Sequence, residues 1–95
     1  MDPKVLEHFR TLIAEAAEVE ATADPQTHFL EERTSARWFA SALHLVRRTY
    51  GRDSEYYALL KQNEPLQYQH QFRRATGILE AAASDYEGGF VDEGA

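Results

Sequence analysis

Tyr68-Gln69-His70-Gln71-Phe72-Arg73-Arg74-Ala75-Thr76-Gly77-Ile78-Leu79-Glu80-Ala81-Ala82-Ala83-Ser84-Asp85-Tyr86 decides the fold of this chain, because Tyr68, Phe72, Ala75, Leu79, Ala82 and Tyr86 recur at spacings of 4, 3, 4, 3 and 4. That spacing lays six apolar or aromatic side chains along one stripe of a helix. Asn63-Glu64-Pro65 breaks the chain before the run, and Gly88-Gly89 ends it. Gly77 sits inside the pattern at a cost of ~1 kcal/mol relative to alanine, and a close crossing by another helix is the expected compensation.

The same period appears upstream. Asp2-Pro3 reads as a cap followed by proline at the first helical position, after which Val5, Phe9, Leu12, Ala16 and Val19 recur at 4, 3, 4 and 3. Asp24-Pro25 stops that helix and is read as the cap of a second one, the longest, from Pro25 to Tyr50. Its expected seam is Phe29, Ala36, Phe39, Leu43, Val46 and Tyr50, joined by Ala42 and flanked by Trp38 and Leu45. Gly51 supplies a left-handed stop. Asp53-Ser54 then caps a short helix from Ser54 to Gln62, whose Tyr56, Tyr57, Leu59 and Leu60 leave only a narrow polar face. No alternating strand pattern, internal repeat or low-complexity segment interrupts this reading.

The sequence therefore predicts an all-α fold, a small antiparallel bundle of three long helices and one short helix. It forms one domain over residues 1–90 with an acidic tail over 91–95. Ninety-five residues leave no room for a second core. At 43% hydrophobic residues with five Phe, five Tyr and one Trp, the composition excludes a disordered chain, and a 27% charged fraction without a long apolar run excludes a membrane span. Burial of Trp38, Phe39, Phe72 and Leu79 is expected to dominate stability. With no cysteine there is no disulfide, thiolate nucleophile or cysteine–zinc site, and the polar start Met1-Asp2-Pro3-Lys4 lacks a signal-peptide stretch, so the expected compartment is the cytoplasm.

Charge is unevenly spread. The net charge is −6, which disfavours a general nucleic-acid coat. Residues 1–26 carry two bases against six acids, residues 27–79 eight bases against five acids, and residues 80–95 five acids and no base. A basic middle thus lies between acidic ends. Within it Arg33, Arg37, Ser41, His44 and Arg48 follow at 4, 4, 3 and 4 and share one helix face. This stripe is either a solvated face paired with Glu31, Glu32 or the acidic first helix, or a phosphate-binding surface built on Arg33, Arg37, His44 and Arg48. Arg73-Arg74 would join it only if the fold brought them round.

Four histidines, His8, His28, His44 and His70, contain no pair spaced by three or four residues, so no single helix presents two as metal ligands. The carboxylates match no calcium loop, and there is no phosphate loop, serine elbow or His-Glu-x-x-His motif. Neither metal nor cofactor is expected. A catalytic reading would make His44 a general base on an RNA 2′-hydroxyl, with Arg37 stabilising the phosphorane. The two lie two helical turns apart, roughly 10 Å along the axis, and Trp38 beside Arg37 suits packing.

The runs Ala36-Arg37-Trp38-Phe39-Ala40-Ser41-Ala42-Leu43, Tyr50-Gly51-Arg52-Asp53-Ser54-Glu55-Tyr56-Tyr57, Gly77-Ile78-Leu79-Glu80-Ala81-Ala82 and Asp85-Tyr86-Glu87-Gly88-Gly89-Phe90 resemble the helical N-terminal module of certain bacterial proteins. In those proteins the module precedes a HEPN-like or abortive-infection-type C-terminal domain associated with defence against phage. The resemblance covers about residues 28–91. It implies an accessory module, with any catalytic part beyond Ala95 or absent. The HEPN nuclease signature, an Arg followed after four to six residues by His, has its counterpart in Arg37 and His44, separated by six residues.

The expected function is therefore a non-enzymatic helical module for protein interaction or oligomerisation, with Trp38, Leu45, Tyr56, Tyr57 and Phe90 as the partner-binding residues. Its rivals are a HEPN-like ribonuclease using Arg37 and His44, and a phosphate or nucleic-acid binder using the arginine stripe. The expected partner is a second copy or another protein.

Overall fold

The computed structural model describes residues 2–89, which form α1 (Pro3–Glu20), α2 (Glu32–Tyr50), α3 (Glu55–Lys61) and α4 (Gln69–Glu87), with no strand among them. The all-α reading holds. Asp2 caps α1 by accepting the Lys4 amide at 2.9 Å ahead of Pro3. Ser54 caps α3 through the Tyr57 amide at 3.0 Å. At α4, Gln71 reaches back to accept the amides of Gln67 and Tyr68 at 3.0 and 2.9 Å, which supplies the side-chain half of a capping box. The acidic tail expected over 91–95 lies outside the described residues.

Helix α2 begins at Glu32 and not at Pro25. The Asp24-Pro25 signal is spent on a local turn: Asp24 Oδ1 accepts the amides of Gln26 and Thr27 at 2.8 and 3.0 Å. His28 then adopts a positive φ of 64°, and a single antiparallel bridge joins Phe29 to Tyr68. Leu30 donates to the Gln67 carbonyl at 2.9 Å, and Gln69 donates to that of His28 at 2.9 Å. The Phe29 and Tyr68 rings stack with centroids 4.6 Å apart. Glu31 does the capping, accepting the Arg33 amide at 2.8 Å and both the amide and hydroxyl of Thr34 at 3.0 and 2.8 Å.

Paired positions fix the helix directions. Glu87 at the end of α4 meets Arg10 of α1, and Tyr86 receives the Asp2 amide at 2.7 Å, whereas Glu20 at the end of α1 meets Arg73 at 2.6 Å near the start of α4. Helix α1 is thus antiparallel to α4. Trp38 and Leu12 join the middles of α2 and α1, and Tyr50 reaches Ala82 as Phe29 reaches Tyr68, so α2 and α4 run parallel to each other. Helix α3 and its flanking loops carry the chain back between them.

One core serves all four helices: Phe9, Leu12 and Val19 of α1, Trp38, Phe39 and Val46 of α2, Leu60 of α3, and Phe72 and Leu79 of α4. Alanines at 16, 42, 75 and 82 are buried with them, and their small side chains let the backbones approach. The α2 seam differs from expectation. Ser35, Trp38, Phe39, Ala42, Leu45 and Val46 are buried, while Ala36 is exposed and Leu43 and Tyr50 are only half-buried. The buried arc is turned by most of one residue's ~100° step from the expected one. Gly77 is also corrected: it is exposed and nothing would meet an added Cβ within 4 Å, so no close crossing explains it.

Candidate functional site

Two of the expected partner-binding residues are interior. Trp38 and Leu45 keep 3% and 4% of their surface, so neither can meet a partner. The tryptophan is held by its indole N–H, which donates to the Leu12 carbonyl at 2.9 Å, and by the Phe72 ring, edge-on at 4.7 Å. Tyr56 is half-buried against Tyr50 and donates its hydroxyl to Asp85. Tyr57 is half-buried and lines a shallow depression with Ala40, Leu43, His44 and Arg47. Phe90 lies outside the described residues.

The arginine stripe is where its spacing put it, with Arg33, Arg37, Ser41, His44 and Arg48 all exposed on α2. Among the described residues none of them forms an ion pair; the three pairs are Arg10–Glu87, Lys61–Glu64 and Arg73–Glu20. The acidic first helix therefore forms its ion pair through Glu20 with Arg73 of α4, and among the described residues no stripe residue closes one with it. Because Glu20 holds Arg73 at the α1–α4 boundary, that arginine does not join the stripe either. Arg37 faces Glu15 and Glu18 across a cleft between α1 and α2, whereas His44 lies in the depression with Tyr57. The two groups thus line different depressions. Among the described residues no cluster of three His, Asp or Glu could hold a metal ion, and no helix is long and apolar enough to cross a membrane.

The concave apolar surface lies elsewhere. A groove of about 590 Å³ runs along the first half of α2. Leu30, Phe39 and Leu66 form its floor, Phe29 and Pro65 one wall, and Ala36, Ala40 and Leu43 the other. Phe29 keeps 44% of its surface exposed although it stacks on Tyr68. The groove's polar lining includes Glu32, Ser35, Glu64 and Gln67. Beyond Ala40 and Leu43 the groove continues into the depression that carries His44 and Arg47, so that end is basic.

Ala36, Leu43 and Phe29 were expected in the core seam; the rotation of α2 leaves the first two in this groove, and the loop before α2, bridged to Tyr68, leaves Phe29 there. The physical signal was in the sequence: apolar residues on α2 span both the Trp38–Ala42–Leu45 side and the Ala36–Leu43 side. Such an arc is wider than α1, α3 and α4 cover. Pro65 and Leu66, which wall and floor the groove from the far loop, had no sequence signal beyond their turn position. Comparison with protein-family models, curated proteins and solved structures finds no match to this chain.

Proposed function

We propose that this chain is a non-enzymatic helical interaction module whose docking face is the apolar groove along α2. The observation that carries this reading is the uncovered half of the α2 apolar arc, with Ala36 exposed and Leu43 half-buried beside the exposed Phe29 of the preceding loop, while Trp38 and Leu45 fill the core. Wet apolar surface concentrated in one concave strip is stabilised by a partner that excludes the water. The separation of Arg37 and His44 into different depressions supports the non-enzymatic side of the reading. The resemblance to phage-defence modules would make the setting a bacterial defence protein, with this chain as its accessory domain.

A photo-crosslinking residue placed at Ala40 tests the docking face in cells, with the same residue at the exposed Glu80 of α4 as control. The expected outcome is a discrete protein adduct from position 40 and none from position 80. No adduct at 40, or equal labelling from both positions, would contradict the reading.

A further inference from the structure

Glu32, Ala36, Ala40, Leu43 and Arg47 follow one another at 4, 4, 3 and 4 residues. At about 100° per residue they fall within an arc of about 80° on α2. This is the groove side of the helix, lying between the buried arc and the arginine stripe, whose His44 borders it. The strip is small and apolar in the middle, acidic at its start and basic at its end. Among the described residues neither Glu32 nor Arg47 has an ion-pair partner; Arg47 only approaches His44 Nδ1, at 3.4 Å. Glu64, which also lines the groove, is engaged with Lys61 at 3.4 Å, and beside Arg47 stands His44.

This polarity selects the occupant. A uniformly basic segment would suit Glu32 and be repelled by Arg47, and a uniformly acidic one would meet the converse. An occupant that answers both ends carries both signs around an apolar centre, and one that is acidic first and basic last lies antiparallel to α2. The α2 helix itself meets that description. Placed antiparallel on a second α2, Glu32 faces Arg47 and Ala36 faces Leu43 about one and the same two-fold axis, which passes between Phe39 and Ala40. A single axis satisfying both pairs is the register an isologous interface requires, and the alanines at the centre let the two backbones approach.

We infer that the groove is a homodimer interface in which a second copy of the chain seats its α2 antiparallel on this one, an inference that rests on the interaction-module reading and names its partner. Each interface then closes two Glu32–Arg47 contacts and covers Ala36, Ala40 and Leu43 on both copies. With only a short apolar strip and two exposed charge pairs to hold it, a dissociation constant on the order of micromolar to millimolar is expected.

Sedimentation of the purified full chain from about 1 μM to about 1 mM tests the inference. The wild type is expected to move from its 10.9 kDa mass toward twice that mass. Glu32→Arg alone and Arg47→Glu alone each juxtapose like charges twice across the axis and are expected to weaken association by about tenfold or more, while the double reversal restores it. Circular dichroism of each variant confirms an unchanged helical fold at these two exposed positions. A wild type that stays monomeric throughout, or a dimer indifferent to both single reversals, overturns the inference. A monomer whose position-40 adduct is a different protein overturns it too, yet leaves the interaction-module reading standing; absence of any adduct removes that reading itself.

Discussion

Trp38 is the point at which three helices meet. Its N–H holds the α1 backbone at Leu12 and its ring meets Phe72 of α4. Truncation to alanine should cost ~3–5 kcal/mol by chemical denaturation, as expected for a large buried aromatic; a loss under ~1 kcal/mol would place the ring in solvent. Gly77 makes the opposite prediction. Because it is exposed in the interior of α4 with open space around its Cα, Gly77→Ala should stabilise by ~1 kcal/mol, and no gain would mean that the helix bends or frays there. Periodicity made Trp38's burial legible, since it flanks an apolar seam, but the same large ring also looked like an interface residue. Only its hydrogen-bond partner on α1 decides between the two roles. For Arg37 and His44 the expected result is that wild-type protein leaves RNA intact. Cleavage that is lost in both Arg37→Ala and His44→Ala, with folding retained, would replace the interaction reading by a ribonuclease.

At the scale of elements, the starts and stops that depend on one residue were readable: Asp2-Pro3 for α1, Ser54 for α3 and Gly88 for the end of α4. The start of α2 was not, because Asp24 has the chemistry of either a cap or a turn. Its choice depends on Tyr68 and Gln67, some forty residues away, which bind Phe29 and Leu30 into a bridge. Glu31 became the cap in its place. The Thr34 hydroxyl and the Arg33 and Thr34 amides hold the Glu31 carboxyl below its ordinary pKa of 4.5, and the Thr27 and Gln26 amides do the same for Asp24 below 3.8. Folding therefore favours both charged forms, so their support is complete above those ordinary values and fades as pH falls through the lowered ones. Glu31→Gln and Asp24→Asn should lower the thermal midpoint at pH 7 and lose that effect in strong acid; a deficit unchanged by acid would show that the carboxylates play no part. At the α2–α4 contact the sign reverses. Burial, with Asp85 and Tyr86 nearby, pushes the Tyr50 hydroxyl up to about 12, and its neutral form donates to the Ala82 carbonyl at 2.6 Å. Stability from this group persists below the ordinary value of 10 and is lost as pH climbs toward about 12. Ultraviolet titration should show late-ionising tyrosine absorbance, and Tyr50→Phe should lower its amplitude by one tyrosine; an unchanged late step would contradict this.

For the whole molecule, the heptad of α4 and the stripe of α1 were enough to call for a bundle, and the core they share confirms it. The groove along α2 was harder to see. A helix whose apolar residues span more than its neighbours can cover has two candidate core faces, and sequence alone leaves their order open. The packing of Trp38 between Leu12 and Phe72 turns α2 one way and thereby exposes Ala36 and Leu43. The wall contributed by Pro65 and Leu66 exists only because the Phe29–Tyr68 bridge brings that loop alongside. Amide chemical shifts followed as the protein is concentrated from about 10 μM to about 1 mM would test the docking face most directly. The account predicts that shifts at Phe29, Glu32, Ala36, Ala40, Leu43, Arg47 and Leu66 move together with concentration while those of the exposed α4 residues Arg74 and Glu80 stay fixed. Spectra that do not change, or changes centred on α4, would contradict it.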